Sequence, residues 1–133
     1  MKQKISSELA TELPAGAAVI SVGEEESVFA NLSASLAEIR KLKGVNGYIL
    51  RSSTSAIIDL SEQDKIIEYA VLSSQIAESS SEIAKQFNLS EVESVLVEGK
   101  NVKVLCMSLG ENRISVFMEK TATHAWIIKR ILL

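Results

Sequence analysis

The side chains that could carry chemistry in this sequence are few and scattered. The chain has one cysteine, Cys106, and one histidine, His124. A catalytic dyad or triad would need His124 beside a nucleophile and oriented by an acid such as Asp59, and no motif of that kind surrounds these residues. A free cysteine among apolar residues usually packs as a small hydrophobe, and His124 begins the last predicted helix, where we expect a partly exposed polar residue. The sequence therefore predicts no catalytic residue.

Other patterns that could bind or transfer a group are equally weak. The run Gly44–Gly47 is too short for a phosphate-binding loop and opens a strand. The serine runs at 52–53 and 79–81 have no motif around them, so turns or solvated helix faces explain them. One Cys and one His exclude a Cys/His zinc site and an intrachain disulfide. Most carboxylates are single and interleaved with Lys or Arg, so we expect no metal and no cofactor.

The composition is that of an ordinary globular chain of one domain. The 133 residues include 14 Lys and Arg against 17 Asp and Glu, a net charge of −3, and 47% are hydrophobic. This mild acidity argues against a nucleic-acid or membrane-surface protein, which is usually basic. Residues 1–5 lack the apolar stretch of a secretory signal. A membrane span needs about 18 consecutive apolar residues, and no run in the sequence approaches that length. We expect a soluble, cytoplasmic protein that binds no nucleic acid and inserts into no membrane.

The charge divides the chain into two parts. Residues 1–27 carry two lysines against five glutamates, whereas residues 28–133 carry equal numbers of acidic and basic side chains. The first part is also interrupted by Pro14 and by the polar run Gly23–Glu26. We predict an acidic N-terminal extension over residues 1–27, with a strand or loop at Ala17–Val22, and a main domain over residues 28–133.

Periodicity in the main domain predicts the element order α-β-β-α-β-β-β-α. Ser27 is a candidate N-cap for the first helix, whose apolar residues recur every three or four positions up to Gly44. A long helix from Ser61 or Asp64 to Phe87 carries a stripe rich in Ala and Ser. Such a stripe fits close packing on the helix's own sheet and equally on an identical helix in a dimer. The predicted strands are Val45–Arg51, Ser55–Leu60, Glu91–Glu98, Asn101–Leu109 and Arg113–Glu119, and a final apolar helix covers Ala125–Leu133.

Short turns between the last three strands predict an antiparallel meander. We therefore predict an α+β fold, with one five-stranded antiparallel sheet and helices on both faces. If the strand Glu91–Glu98 lies at the sheet edge, it is a template for pairing. Together with the small-residue helix before it, the strand would form a two-fold, self-complementary interface. For Trp126, core packing is a better interpretation than an interface role.

Several local features resemble the roadblock/dynein light-chain-7 family, also described as predicted regulators of Ras-like GTPases. The first helix ends in the run Leu42–Leu50, which is similar to the family's Gly-Val-x-Gly start of strand one. The Ala/Ser-rich helix Asp64–Phe87 is similar in place and composition. The hairpin Val95–Gly99 and the terminal helix Trp126–Leu133 also fit, so the resemblance covers about residues 28–133.

The resemblance implies a roadblock-like fold of profilin-like layout and a non-enzymatic homodimer that binds or regulates a small Ras-like GTPase, or scaffolds a motor or signalling complex. The turn Ser52–Thr54 departs from the family, whose members often have Asp-Gly there. Arg51 and Arg113 could act on a GTPase, although a solvated charge is the better interpretation. The alternative function is a small-molecule-sensing α+β domain with a closed apolar pocket. The implied dimer interface consists of Tyr69, Ala70, Ser73, Ser74 and Ala77 on the long helix, and Val92, Ser94 and Leu96 on the third strand.

Overall fold

The computed structural model describes residues 16–132, with side chains from residue 27 onward. The described residues divide into two compact units, with the boundary between Leu32 and Ser33. The element order of the described residues is the predicted one, with a short 3₁₀ turn before the second helix. The elements are α1 (Gly16–Arg40), β1 (Val45–Arg51), β2 (Ala56–Leu60), α2 (Ile66–Gln86), β3 (Ser94–Glu98), β4 (Val102–Leu109), β5 (Asn112–Glu119) and α3 (His124–Leu132).

Helix α1 begins at Gly16 rather than after Ser27. The predicted strand or loop at Ala17–Val22 is therefore wrong, because these residues are helical. The polar run Gly23–Glu26 does not stop the helix: one glycine costs a helix only about 1 kcal/mol, and Glu is a good helix former. The N-terminal extension over residues 1–27 remains a prediction, and most of it, residues 1–15, lies outside the described residues.

The five strands form one sheet in the order β2-β1-β5-β4-β3. All four pairings are antiparallel, which confirms the predicted α+β class. The register between β1 and β5 shifts between Val45 and Gly47. At Gly47 the backbone φ is +156° and β2 passes so close that Asp59 and Leu60 leave no room for a side chain. A glycine is therefore required where β1 enters the sheet.

One face of the sheet packs against α2. Strand residues alternate between the two faces, and Val104 is paired with Phe117 across β4 and β5. These two residues form a buried cluster with Ile49 and Leu60. The side chains that pack against this cluster from α2 are Ile66, Tyr69, Ala70, Leu72 and Ile76.

The opposite face of the sheet carries the best-buried core. Lys103 precedes Val104 in β4, so its side chain lies on this opposite face. Its Nζ lies 3.0 Å from Nδ1 of His124 at the start of α3. Asp59 also points there and accepts a hydrogen bond from Arg40 at the end of α1. Helices therefore cover both faces of the sheet, as predicted. The largest fully buried side chains of residues 33–132 are Leu36, Ile39, Leu50, Leu105, Ile114, Val116, Met118 and Ile127.

Helix α2 is much less buried than the sheet beneath it. Of its 21 residues, only Ala84 is fully buried. Most of the side chains that face the sheet are half-buried, including those packed on the cluster. None of the helices within residues 16–132 combines the length and apolarity that crossing a membrane requires.

Candidate interaction surface

Strand β3 lies at the edge of the sheet, bonded to β4 on one side only. The condition on which the predicted pairing depends, that this strand lies at a sheet edge, is met. No described strand pairs with its outer side, so the backbone N–H and C=O groups there can bond to a second strand. The strand is shorter than predicted, because it begins at Ser94 and not at Glu91.

Val92 precedes β3 and does not belong to it. Asn88 and Ser90 have φ values of 56° and 66°, a left-handed conformation that is uncommon for residues other than glycine. The chain therefore turns twice after α2 before it becomes a strand. The side chains of Val92 and Leu96 are half-buried, and that of Ser94 is exposed.

Two of the five α2 residues assigned to the interface pack on the sheet of their own chain. Tyr69 stacks on Phe117, with ring centroids 4.6 Å apart and an interplanar angle of 12°. Ala70 packs against the same buried cluster. Both side chains are half-buried, so they support the position of α2 and offer only part of their surface to another molecule.

Ser73, Ser74 and Ala77 are also half-buried. Ser73 and Ala77 line a cleft between α2 and the sheet. The Oγ atom of Ser73 is fully buried and has no hydrogen-bond partner among the described residues. A buried hydroxyl without a partner is destabilising, so this position is unusual for a helix that simply covers a sheet.

Sequence reasoning missed two exposed apolar residues on α2. Ile67 is 79% exposed and Val71 is 50% exposed. Positions 67, 71, 74, 78, 81 and 85 follow helical spacing, so they form one side of the helix, which we call the outer flank. Residues Ser81 and Lys85 of this flank line the cleft together with Val95 of β3. The C-terminal part of the outer flank therefore borders the same cleft as the edge strand.

A usable signal for these residues was present in the sequence. Ile67 and Val71 are four residues apart and lie outside the Ala/Ser stripe that predicts the buried side of the helix. Two bulky apolar residues at helical spacing on the solvent side of an amphipathic helix indicate a contact surface. Ile83, 53% exposed, lies almost opposite them around the helix.

The cleft between α2 and the sheet has a volume of about 330 Å³ and is open to solvent. It extends across β1, β5 and β4 at the end of the sheet that holds the β4–β5 turn. Its lining differs from the closed apolar pocket that a small-molecule sensor was expected to have. The lining residues are Ile49, Arg51, Ser73, Ala77, Ser80, Ser81, Lys85, Ser90–Glu93, Val95, Cys106–Ser108, Gly110 and Arg113–Ser115.

Charged side chains line opposite sides of this cleft. Arg51 and Arg113 are directly paired across β1 and β5, and Lys85 lies on the helix side. Glu91 and Glu93 precede β3. Among the side chains of residues 27–132, no carboxylate lies within 4.0 Å of the three cationic groups. These cations are therefore not neutralised by the described part of the chain.

The sheet separates the two residues that were candidates for chemistry. Cys106 faces α2, with its Sγ 3.5 Å from Oγ of Ser115, and burial raises the pKa of its thiol. His124 is partly exposed, as predicted, and contacts Lys103 on the other face. The two cannot form a nucleophile–histidine dyad. In the described part of the chain, no three Cys, His, Asp or Glu side chains are grouped to hold a metal ion.

Trp126 is 46% exposed, so the expectation that it packs in the core is wrong. The guanidinium carbon of Arg130, one helical turn later, lies 5.9 Å from the centre of its ring. This cation–π geometry holds the indole against the surface of α3.

Solved structures of roadblock proteins share this fold. A Roadblock/LC7 domain from Streptomyces avermitilis matches with a TM-score of 0.60 and 14% identity, covering 79% of this chain and 86% of that chain. MglB from Myxococcus xanthus matches with a TM-score of 0.64 and 16% identity, covering 78% and 88%. The gliding protein MglB from Thermus thermophilus matches with a TM-score of 0.61 and 14% identity, covering 77% and 82%. A comparison with curated protein sequences finds no match.

The family assignment comes from the sequence itself. The family model of the Roadblock/LC7 domain matches residues 33–116. This range extends from α1 into β5 and includes the edge strand and α2. The match covers more than half of the 133 residues, and so this chain belongs to the Roadblock/LC7 domain family.

Proposed function

We propose that this protein is a non-enzymatic homodimeric module that binds or regulates a small Ras-like GTPase. The observation that carries the proposal is the open edge of β3 beside the exposed outer flank of α2. Family membership supports the class of partner, because the family is described as predicted regulators of Ras-like GTPases. The separation of Cys106 from His124 by the sheet supports a role without catalysis.

In the proposed dimer, β3 pairs with β3 of the second copy about a two-fold axis. Each strand then satisfies the open backbone groups of the other, and the two sheets become one. A stable interface of ordinary size buries about 800 Å² per partner, more than a five-residue strand supplies. The outer flanks of the two α2 helices would supply the rest, by burying Ile67, Val71 and the exposed Val97 of β3.

Sedimentation velocity tests the dimer. We expect the unmodified protein to sediment as a dimer at micromolar concentration. Ile67→Glu, Ala77→Glu and Leu96→Lys should each weaken the dimer by about tenfold or more, because each buries an unpaired charge at the interface. Ile83→Glu is the matched control: it places the same charge on the same helix, on the opposite side, and should leave the dimer intact.

Two results would contradict this part of the proposal. A strictly monomeric unmodified protein would exclude the homodimer. Variants that all remain dimeric, with circular dichroism like that of the unmodified protein, would show that the interface lies elsewhere.

A binding experiment tests the partner. Purified Ras-like GTPases, loaded with GDP or a non-hydrolysable GTP analogue, would be passed over the immobilised protein. We expect retention that depends on the nucleotide. Single-turnover hydrolysis then distinguishes stimulation of the GTPase from scaffolding of a motor or signalling complex. Failure of both nucleotide states to bind would refute the GTPase proposal and leave the dimer standing.

A further inference from the structure

Three exposed cationic side chains line the cleft beneath α2. Arg51 and Arg113 are directly opposite each other on adjacent strands. Residues paired in this way have Cβ atoms about 4.5–5.5 Å apart, and like charges in such pairs repel. Lys85 adds a third positive charge from the helix side of the same cleft. No carboxylate among the side chains of residues 27–132 lies within ion-pair distance of any of the three.

The cleft also holds hydroxyl groups, two of which already have partners: Oγ of Ser80 donates to the carbonyl oxygen of Ala77, and Oγ of Ser115 lies 3.5 Å from Sγ of Cys106. Ser73 lines it with a buried Oγ that has no partner among the described residues. The further serines of the lining are Ser80, Ser81, Ser90, Ser108 and Ser115. Guanidinium groups donate five N–H bonds in a planar fork that matches the oxygen atoms of phosphate and carboxylate groups. Three cationic and two anionic side chains line the cleft, so its lining combines hydrogen-bond donors with a net positive charge.

We propose that this cleft binds a small molecule carrying a phosphoryl group, held by Arg51 and Arg113 with Lys85. A phosphoryl group has three acceptor oxygens and a charge near −2 at neutral pH, whereas a carboxylate has two oxygens and a charge of −1. Three cations with serine hydroxyls nearby therefore suit the phosphoryl group better. The volume of about 330 Å³ is that of a small-ligand site.

The glutamates of the cleft fix the orientation of the ligand. Glu91 and Glu93 lie beside β3, whereas the arginines lie on β1 and β5, toward the middle of the sheet. The phosphoryl group would occupy the arginine side, away from the carboxylates. That side is away from the β3 edge proposed for pairing, whereas Ser73 and Lys85 lie on the helix side, which the proposed dimer would partly cover. The inference therefore requires that the arginine side stays open in the dimer, and it does not depend on a GTPase.

Calorimetric titration of the full chain at constant ionic strength tests the inference, with inorganic pyrophosphate as the probe. We expect measurable binding that Arg51→Gln and Arg113→Gln each weaken by about tenfold, the value of one charge-assisted hydrogen bond. Lys100→Gln is the matched control, because Lys100 lies in the β3–β4 turn at the other end of the sheet. It removes the same charge and should leave the affinity unchanged.

Glu93→Gln should change the affinity for pyrophosphate in the opposite direction from the two arginine variants. Removing a carboxylate from the cleft should tighten pyrophosphate binding several-fold, which a structural defect would not do. Malonate, a dicarboxylate, should bind more weakly than pyrophosphate, and equal affinity would overturn the phosphoryl assignment. The absence of pyrophosphate binding, or equal weakening by Lys100→Gln, would overturn the site itself. Circular dichroism melting curves confirm that each variant is folded.

Discussion

Gly47 offers the sharpest test of how this sheet is assembled. The residue lies where the register between β1 and β5 shifts, and its φ of +156° belongs to a region that only glycine adopts without strain. A Cβ added there would collide with the carbonyl oxygen of Asp59 and lie 2.7 Å from Cα of Leu60. Carbon atoms in normal contact are about 3.5–4.0 Å apart, so Gly47→Ala must displace β2.

The size of the effect follows from two costs. An L-residue held in this backbone region costs about 1–3 kcal/mol, and overpacking against a neighbouring strand costs about 1–3 kcal/mol more. The substitution should therefore lower the free energy of unfolding by about 2–6 kcal/mol. Because small domains are stable by only about 5–15 kcal/mol, the variant is expected to unfold at much lower urea concentration.

Equilibrium unfolding in urea, followed by circular dichroism, provides the measurement. Gly110→Ala is the matched control: Gly110 has a φ of +60°, and a Cβ there meets nothing within 4 Å. That variant has only the backbone cost, about 1–2 kcal/mol. If Gly47→Ala were no less stable than Gly110→Ala, the close approach of β2 to β1 would not be a real constraint, and the reasoning would fail.

Three further predictions concern buried polar groups, and each has its own measurement. Ser73→Ala should raise the free energy of unfolding by about 1 kcal/mol, because it removes an unpaired buried hydroxyl; a loss of stability in urea unfolding would show that the hydroxyl is satisfied. In thermal melts, Lys103→Met should leave the stability unchanged or raise it. His124→Ala should lower the stability by about 1–3 kcal/mol, because it leaves the buried ammonium of Lys103 without its described partner. A Lys103→Met variant less stable than His124→Ala would refute this. Burial raises the pKa of Cys106, so iodoacetamide should modify it more slowly in the folded protein than in urea at pH 8.5. Alkylation at equal rates in the folded and unfolded protein would refute the burial. Because the unfolded chain loses the thiol proton at lower pH than the folded one, the free energy of unfolding should also fall as the pH rises past the pKa of the unfolded thiol.

Local patterns predicted the strands well because hairpins depend on neighbouring residues. The bounds of β1 agree with the prediction, and the three C-terminal strands form the expected meander. The start of α1 was missed for a physical reason: a glycine and three glutamates interrupt the apolar pattern without interrupting helical hydrogen bonding. The exposure of Trp126 was missed because apolarity alone does not show which side of a helix faces solvent.

The candidate cleft could not be predicted, because it depends on pairing between distant strands. Arg51 and Arg113 become neighbours only because β5 inserts between β1 and β4. No periodicity in either segment indicates that pairing. The outer flank of α2 was only partly predicted: the Ala/Ser stripe identified the side toward the sheet, and the exposed Ile67 and Val71 lie beyond it.

The two faces of the sheet contribute differently to stability and to binding. The α1/α3 face contains the most deeply buried side chains of β1, β4 and β5, such as Leu50, Leu105 and Val116, so substitutions there should mainly affect folding. The α2 face has one fully buried helix residue, Ala84, an open cleft and an exposed apolar flank. A helix covered so incompletely by the described part of the chain has surface left for other molecules. Substitutions on the exposed side of α2 should therefore change assembly and binding while leaving the unfolding free energy nearly unchanged.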